Sequence, residues 1–144
     1  MSNYATENLR TLALVGHGSC GKTTLIEAML YRAGMIPEMG SIQRGTTMCD
    51  NDLLEKEVGH SIRLAVAHID TAMTDLTPVR IHILDTPGYP DYLGQDMSAL
   101  DAVKSVCAVI DPTKGPELLT RRLMAMAKER GLCRMIVINH MDDP

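Results

Sequence analysis

The residues with the clearest chemical potential lie in one glycine-rich run near the start of the chain. The run GHGSCGKT, Gly16–Thr23, fits the phosphate-binding pattern G-x-x-x-x-G-K-[ST]. In this pattern the Lys22 ammonium reaches the β- and γ-phosphates of a nucleotide, and the Thr23 hydroxyl faces Mg²⁺. The sequence therefore predicts a polyphosphate site, with a glycine-rich turn that binds nothing as the alternative. The residues assigned to it are His17, Gly18, Ser19, Cys20, Gly21, Lys22, Thr23 and Thr24.

Two regular elements must position this run. Leu12–Val15 is an unbroken apolar stretch, which is typical of a buried parallel strand. After the run, Leu25, Ile26, Met29 and Leu30 recur at helical spacing. The run therefore ends at a helix N-terminus, where backbone N–H groups and the positive end of the helix dipole favour an anion.

Strands and helices alternate along the rest of the chain, which predicts an α/β fold with a mostly parallel sheet. A short turn at Thr74–Pro78 joins two predicted strands, so that pair should be antiparallel with one strand at an edge. The stretch Gly34–Gly59 is too long for an ordinary connection and is expected to be functional or disordered. The predicted strands are Thr11–Val15, Ser61–Ile69, Val79–Leu84, Val103–Ile110 and Cys133–Asn139, and the predicted helices are Lys22–Ala33, Gln95–Ala102 and Glu117–Arg130.

Composition excludes several functional classes. The chain has 144 residues, enough for one domain with a buried core. A net charge of −4 without a basic tract argues against a free-standing nucleic-acid binder. No apolar run is long enough for a transmembrane helix, so no membrane partner is expected. The four cysteines are widely spaced without a C-x-x-C pair, which favours reduced thiols in a cytoplasmic protein over zinc or disulfides.

A second motif, Asp85-Thr86-Pro87-Gly88, follows the predicted strand Val79–Leu84. Ligands of α/β sheets bind at this end of the strands. An aspartate there can hold Mg²⁺ through water, and the Gly88 N–H can sense a γ-phosphate. A plain turn is the alternative, because Asp, Pro and Gly all favour turns. The phosphate-binding run upstream favours the functional interpretation.

A third motif, Asn139-His140-Met141-Asp142, ends the last predicted strand, where P-loop GTPases carry the guanine-reading N-K-x-D. The Asp142 carboxylate can accept two hydrogen bonds from the guanine N1–H and 2-amino group, which adenine does not offer. The Asn139 side chain braces the site. His140 replaces the lysine whose stem packs over the base, and an imidazole can stack there too.

These three motifs in this order resemble a translational GTPase, specifically the G domain of elongation factor G and its elongation-factor-G-like relatives. The segments Gly45–Asp50 and Leu54–Ile62 resemble the first switch of that family. The resemblance covers about Leu9 to Asp142 and implies a P-loop NTPase, GTPase-type, three-layer fold with one antiparallel edge strand. It gives Ser61 the position of the switch threonine that binds Mg²⁺ in the GTP state. Met35–Gly59 becomes a loop that orders and disorders with nucleotide.

Departures from the family pattern bear on catalysis. Val58 stands where a switch arginine is expected, and Tyr89 where the family places a histidine that orients the attacking water. A phenol can hydrogen-bond water, but with a pKa near ~10 it is a poor base. We therefore expect GTP and GDP binding with Mg²⁺ and only slow hydrolysis, with Lys22, Gly88 and Tyr89 as the candidate catalytic residues.

Other polar side chains are expected to be structural. We predict a solvated acidic face at Asp50, Asp52, Glu55 and Glu57, and no ligand role for His60, His68 and His82.

On the resemblance, residues 1–144 form the N-terminal part of a GTP-binding domain that is incomplete beyond the guanine motif. The last strand would then be an unpaired edge, which favours self-association. The parent protein would act on the ribosome through domains outside this chain. Two alternatives stay open: a non-catalytic interaction module whose phosphate loop binds weakly or not at all, and an ATP-binding P-loop protein.

Overall fold

A five-stranded sheet runs through the computed structural model, which describes residues 4–49, 55, 60–73 and 75–142. The sheet order is β2-β3-β1-β4-β5. The strands are β1 (Leu9–Val15), β2 (Ala65–Ala72), β3 (Pro78–Asp85), β4 (Ser105–Ile110) and β5 (Cys133–Ile138). The α-helices described in full are α1 (Lys22–Arg32), α2 (Leu93–Ala102) and α3 (Leu118–Glu129), with short 3-10 turns at Thr6–Asn8 and Pro90–Tyr92.

Strand pairing confirms the predicted α/β class. β1 lies between β3 and β4 and is parallel to both, and β5 is parallel to β4. β2 is antiparallel to β3 and forms one edge, as the short connecting turn predicted. The predicted start of β2 at Ser61 is wrong, because the strand begins at Ala65. The backbone N–H groups of Ile62 and Arg63 instead donate to the Glu55 carboxylate, so this segment is held outside the ladder.

Apolar side chains cover both faces of the central strands, which gives three layers. One core lies between the sheet and α2 with α3, and the other between the sheet and α1. The end of β1, Ala13–Val15, and the middle of β4, Val106–Val109, are buried on both faces, and each is a continuous apolar run. The first core includes Ala13, Val15, Leu84, Leu100, Val106 and Leu123, and the second includes Leu14, Ile26, Leu30, Ile83 and Val109.

β5 is the second edge, as expected, and it is largely exposed. Met135 is 46% exposed, Ile136 62% and Ile138 56%. None of the helices in the described ranges is long and apolar enough to cross a bilayer.

The long connection after α1 is held by buried carboxylates. Residues 34–49 contain only turns and bends, and Glu27 of α1 accepts hydrogen bonds from the Gly40 and Met48 N–H groups. Glu27 is fully buried. The predicted solvated position of Glu55 is wrong, because this side chain is buried and accepts two backbone hydrogen bonds. Residues 50–54 and 56–59 lie outside the described part, so the predictions for Asp50, Asp52, Glu57 and Val58 are untested there.

Candidate nucleotide-binding site

The glycine-rich run forms the turn between β1 and α1, as predicted. Gly21 precedes the first residue of the helix with a φ of 90°, a left-handed angle that favours glycine. A Cβ at Gly21 would also collide with the Asn139 side-chain amide. The final glycine of the pattern is therefore needed both for its backbone angle and for close approach of another segment.

Lys22 is held against this turn rather than extended into solvent. Its ammonium donates to the Gly16 and His17 carbonyls, each at 3.0 Å, and the residue is 7% exposed. The neighbouring Cys20 is buried, and burial raises the pKa of its thiol. The Lys22 ammonium is thus held in place by two backbone carbonyls. The buried Cys20 thiol beside it stays protonated.

Three oxygen-bearing side chains meet next to Lys22. The Thr23 hydroxyl donates to Asp85 Oδ2 at 2.6 Å and lies 3.3 Å from the Ser61 hydroxyl. They come from the start of α1, the end of β3 and the segment before β2. Hydroxyl and carboxylate oxygens are the ligand type that Mg²⁺ prefers, and Mg²⁺ completes its shell with phosphate and water. In the ranges described, no group of three His, Cys, Asp or Glu side chains offers an alternative metal site.

The Asp85–Gly88 motif packs directly on the phosphate loop. A Cβ at Gly88 would lie 2.5 Å from the Gly18 nitrogen and 2.6 Å from Lys22 Nζ. The Thr86 hydroxyl donates to the Leu14 carbonyl at 2.8 Å, which ties the motif to β1. Gly88 therefore lies against the phosphate loop and the Lys22 ammonium, the residues that sequence reasoning assigned to phosphate binding.

A buried carboxyl that sequence reasoning missed lies behind this motif. Asp96 of α2 is fully buried beside the Thr86 side chain. Burial raises the pKa of Asp96 to about 6, against the opposing effects of Thr86 and Lys22. Thr86 donates its hydroxyl hydrogen to the Leu14 carbonyl, and neither carboxyl oxygen of Asp96 has a hydrogen-bond partner among the described residues, which favours the neutral acid.

The third motif lies at the end of β5, on the other side of the loop. The Asn139 amide donates to the Cys20 carbonyl at 3.0 Å, which is the predicted brace. His140 has a positive φ of 55°, and its Nδ1 is 3.6 Å from Asp111 Oδ2. Hydrogen bonds from Thr113, and then His140, lower the pKa of Asp111. Asp142 is exposed in the turn that follows β5.

These elements enclose a cavity of about 270 Å³. Of the predicted residues, those that line it are Gly18, Ser19, Gly21, Lys22, Thr23, Thr24, Ser61, Gly88, Tyr89 and His140. The lining does not include His17, Cys20, Asp85, Asn139 or Asp142. It does include Ile42 and Gln43 from the long connection, and His60, which sequence reasoning left out of the site. Its place next to Ser61 in the sequence could have indicated this.

Comparison with known proteins agrees with this geometry. Residues 7–144 match the family model of the elongation factor Tu GTP binding domain. The chain belongs to this GTP-binding domain family. The match spans the phosphate loop, the Asp85–Gly88 motif and the Asn139–Asp142 motif, and it confirms the predicted translational GTPase resemblance.

Individual relatives include a tetracycline resistance protein and an elongation factor G-like protein. The chain is 34% identical over 131 residues to the tetracycline resistance protein TetM of Enterococcus faecalis, covering 91% of this chain and 20% of TetM. It is 35% identical over 134 residues to the elongation factor G-like protein of Mycobacterium tuberculosis, covering 93% and 18%. The chain therefore spans about a fifth of the length of the curated relatives it matches.

Solved structures show the same fold. A Thermus thermophilus protein superposes with a TM-score of 0.81 at 36% identity, covering 90% of this chain and 19% of that one. The bacterial selenocysteine-specific elongation factor EF-Sec gives a TM-score of 0.73 at 25% identity, covering 94% and 20%. The P-loop, GTPase-type α/β fold is thus confirmed.

Proposed function

We propose that this chain binds GTP and GDP with Mg²⁺ in the cavity between the phosphate loop, the Asp85–Gly88 motif and Ser61. The observation that carries the proposal is the meeting of Lys22, the Thr23–Asp85 hydrogen bond and the Ser61 hydroxyl around one space. A fixed cation, oxygen ligands and a helix N-terminus together match the charge of a polyphosphate.

At the phosphate end, Lys22 pairs with the β- and γ-phosphates and the Gly88 N–H donates to the γ-phosphate. Thr23 and Ser61 would hold Mg²⁺ through their hydroxyls, and Asp85 through water. When bound, the ion neutralises phosphate charge. The 2.6 Å and 3.3 Å contacts among these three side chains support this assignment.

At the base end, Asp142 accepts hydrogen bonds from guanine and His140 packs over the base. Asn139 supports both by holding the Cys20 carbonyl. The cavity lining extends from Lys22 to His140, so a nucleotide laid from phosphate to base follows the enclosed space.

The parent protein is proposed to act on the ribosome in the cytoplasm. Relatives named for elongation and for tetracycline resistance support this role, and the free thiols at all four cysteines fit a reducing compartment. Hydrolysis by this chain should be slow, because the phenol of Tyr89 is a poor base. Positioning by Lys22 and Gly88 supplies what rate there is.

The proposal is tested by titrating the chain with GTP, GDP and ATP, with and without Mg²⁺. Guanine nucleotides should bind at micromolar concentrations and ATP far more weakly. Lys22→Ala should remove binding, whereas Lys128→Ala, an exposed lysine at the end of α3, should not. Preference for ATP would establish the ATP-binding alternative. Absence of all binding would leave the interaction module.

A finer proposal concerns β5. Its exposed edge carries Met135, Ile136 and Ile138, a surface that can pair with a second copy. Sedimentation velocity over a micromolar concentration series should show dimers, and Ile136→Lys should remove them. A monomer at every concentration would contradict this.

A further inference from the structure

Two rings from separate segments meet above the phosphate loop. His60 lies just before Ser61, and Tyr89 just after Gly88. Their ring centroids are 4.5 Å apart with an interplanar angle of 49°, and both rings line the cavity. The pair therefore connects the segment that carries Ser61 to the motif that carries Asp85.

The Tyr89 ring also contacts the phosphate loop. A Cβ at Gly18 would lie 2.6 Å from Tyr89 Cζ and 2.9 Å from its hydroxyl oxygen. The phenol end of Tyr89 thus rests against the Gly18 backbone, while its ring also contacts the His60 ring.

The Tyr89 phenol lies at the phosphate end of the cavity. Gly88, the residue before Tyr89, packs against both Gly18 and the Lys22 ammonium. A hydroxyl at this end of the cavity is a hydrogen-bond donor for the terminal phosphate of a nucleoside triphosphate. A nucleoside diphosphate lacks that group, so it gains nothing from the phenol.

We propose that His60 is a positioning residue that holds the Tyr89 hydroxyl toward the terminal phosphate and so makes the cavity prefer GTP over GDP. This inference rests on the proposed function. It assigns a role to Tyr89, which stands where the family places a histidine. It also assigns a role to His60, for which the sequence predicted no ligand role.

The experiment measures GTP and GDP dissociation constants for the chain, four single variants and one double variant. Tyr89→Phe should weaken GTP about tenfold or more, the size of one hydrogen bond to a charged group, and leave GDP unchanged. His60→Ala should weaken GTP about threefold to tenfold, the size of a ring–ring contact, and also spare GDP. His60→Phe, which keeps a ring, should restore the preference. His68→Ala, an exposed histidine on β2, should change neither.

Coupling between the two residues gives the decisive result. The double variant His60→Ala/Tyr89→Phe should bind GTP no more weakly than Tyr89→Phe alone, because His60 acts through the phenol. Additive losses would overturn the inference, as would equal losses of GTP and GDP affinity in His60→Ala, or a His60→Phe variant that behaves like His60→Ala.

Failure of this inference and failure of the proposed function look different. If the chain binds neither nucleotide, the proposed function fails and the GTP preference fails with it. If both nucleotides bind and their affinity ratio is insensitive to His60, only the inference fails. Nuclear Overhauser contacts between the His60 and Tyr89 rings should be present in the nucleotide-free chain, and their absence would overturn the pairing itself.

Discussion

At the phosphate end of the cavity Lys22, Thr23 and Asp85 are each less than a tenth exposed, whereas the base end is carried by a strand exposed at most of its positions. β1 and β3, which lead into the phosphate end, each have a strand on both sides, but β5 has only β4. The residues proposed to contact phosphate thus lie in the packed core, and those proposed to contact the base lie at the sheet edge. Substitutions at the phosphate end should therefore lower nucleotide affinity more than substitutions at the base end.

The largest effect is expected at Gly21. Gly21→Ala places a Cβ at a left-handed backbone angle and against the Asn139 amide, so GTP and GDP affinity should fall about a hundredfold. Gly131→Ala is the matched control, because its φ of 68° imposes similar strain with open space around it. Binding measured by isothermal titration should be normal in this control. Equal losses in both variants would show that backbone strain alone matters.

A smaller effect is expected at the base end. Asp142→Ala removes the predicted acceptor for guanine, so GDP affinity should fall about tenfold to a hundredfold while ADP affinity is unchanged. Competition assays with both diphosphates measure this ratio. Glu129→Ala, an exposed acidic residue at the end of α3, is the control. Parallel losses of GDP and ADP would contradict guanine reading by Asp142.

Asp96 gives a pH-dependent prediction beneath the phosphate end. Because its pKa is raised from 3.8 to about 6 in the folded chain, the folded state binds this proton more tightly than the unfolded state. The stability associated with Asp96 is therefore full below pH 3.8 and is lost as pH rises through 6. Asp96→Asn removes the ionisable carboxyl and should unfold less readily above pH 6, by on the order of 2 kcal/mol.

Urea unfolding at several pH values checks this. The difference in unfolding free energy between Asp96→Asn and the unsubstituted chain should disappear toward about pH 4, near the ordinary pKa of an aspartate. Asp101→Asn, in the same helix but exposed and paired with Arg130, should show no such opening of the gap with pH. A gap that is constant across the pH range would rule out titration of Asp96 as its cause.

The smallest effect concerns thiols. Cys133 at the start of β5 is exposed, whereas Cys20, Cys49 and Cys107 are buried. Iodoacetamide should modify Cys133 first without changing nucleotide affinity, and mass spectrometry of digests identifies the modified site. Burial also raises the pKa of Cys20 and Cys107, which slows their reaction further. Equal modification rates at Cys20 and Cys133 would contradict the difference in burial between the phosphate end and β5.

Much of the fold was predictable because its pattern is local. The apolar run at Leu12–Val15 and the helical spacing after Lys22 predicted β1 and α1 to within about two residues. The short turn at Thr74–Pro78 predicted the antiparallel pair. The start of β2 was not predictable, since Ile62 and Arg63 are held by the buried carboxylate of Glu55.

The sequence by itself determined the phosphate loop, its two companion motifs and their order, because each depends on adjacent residues of defined backbone and side-chain chemistry. Only the tertiary structure decided which polar groups are buried and which rings touch. Glu27, Asp96 and the His60–Tyr89 pair acquire their positions from segments distant in the chain. Burial and contact depend on the packing of those segments, and no local pattern of residue types contains that information.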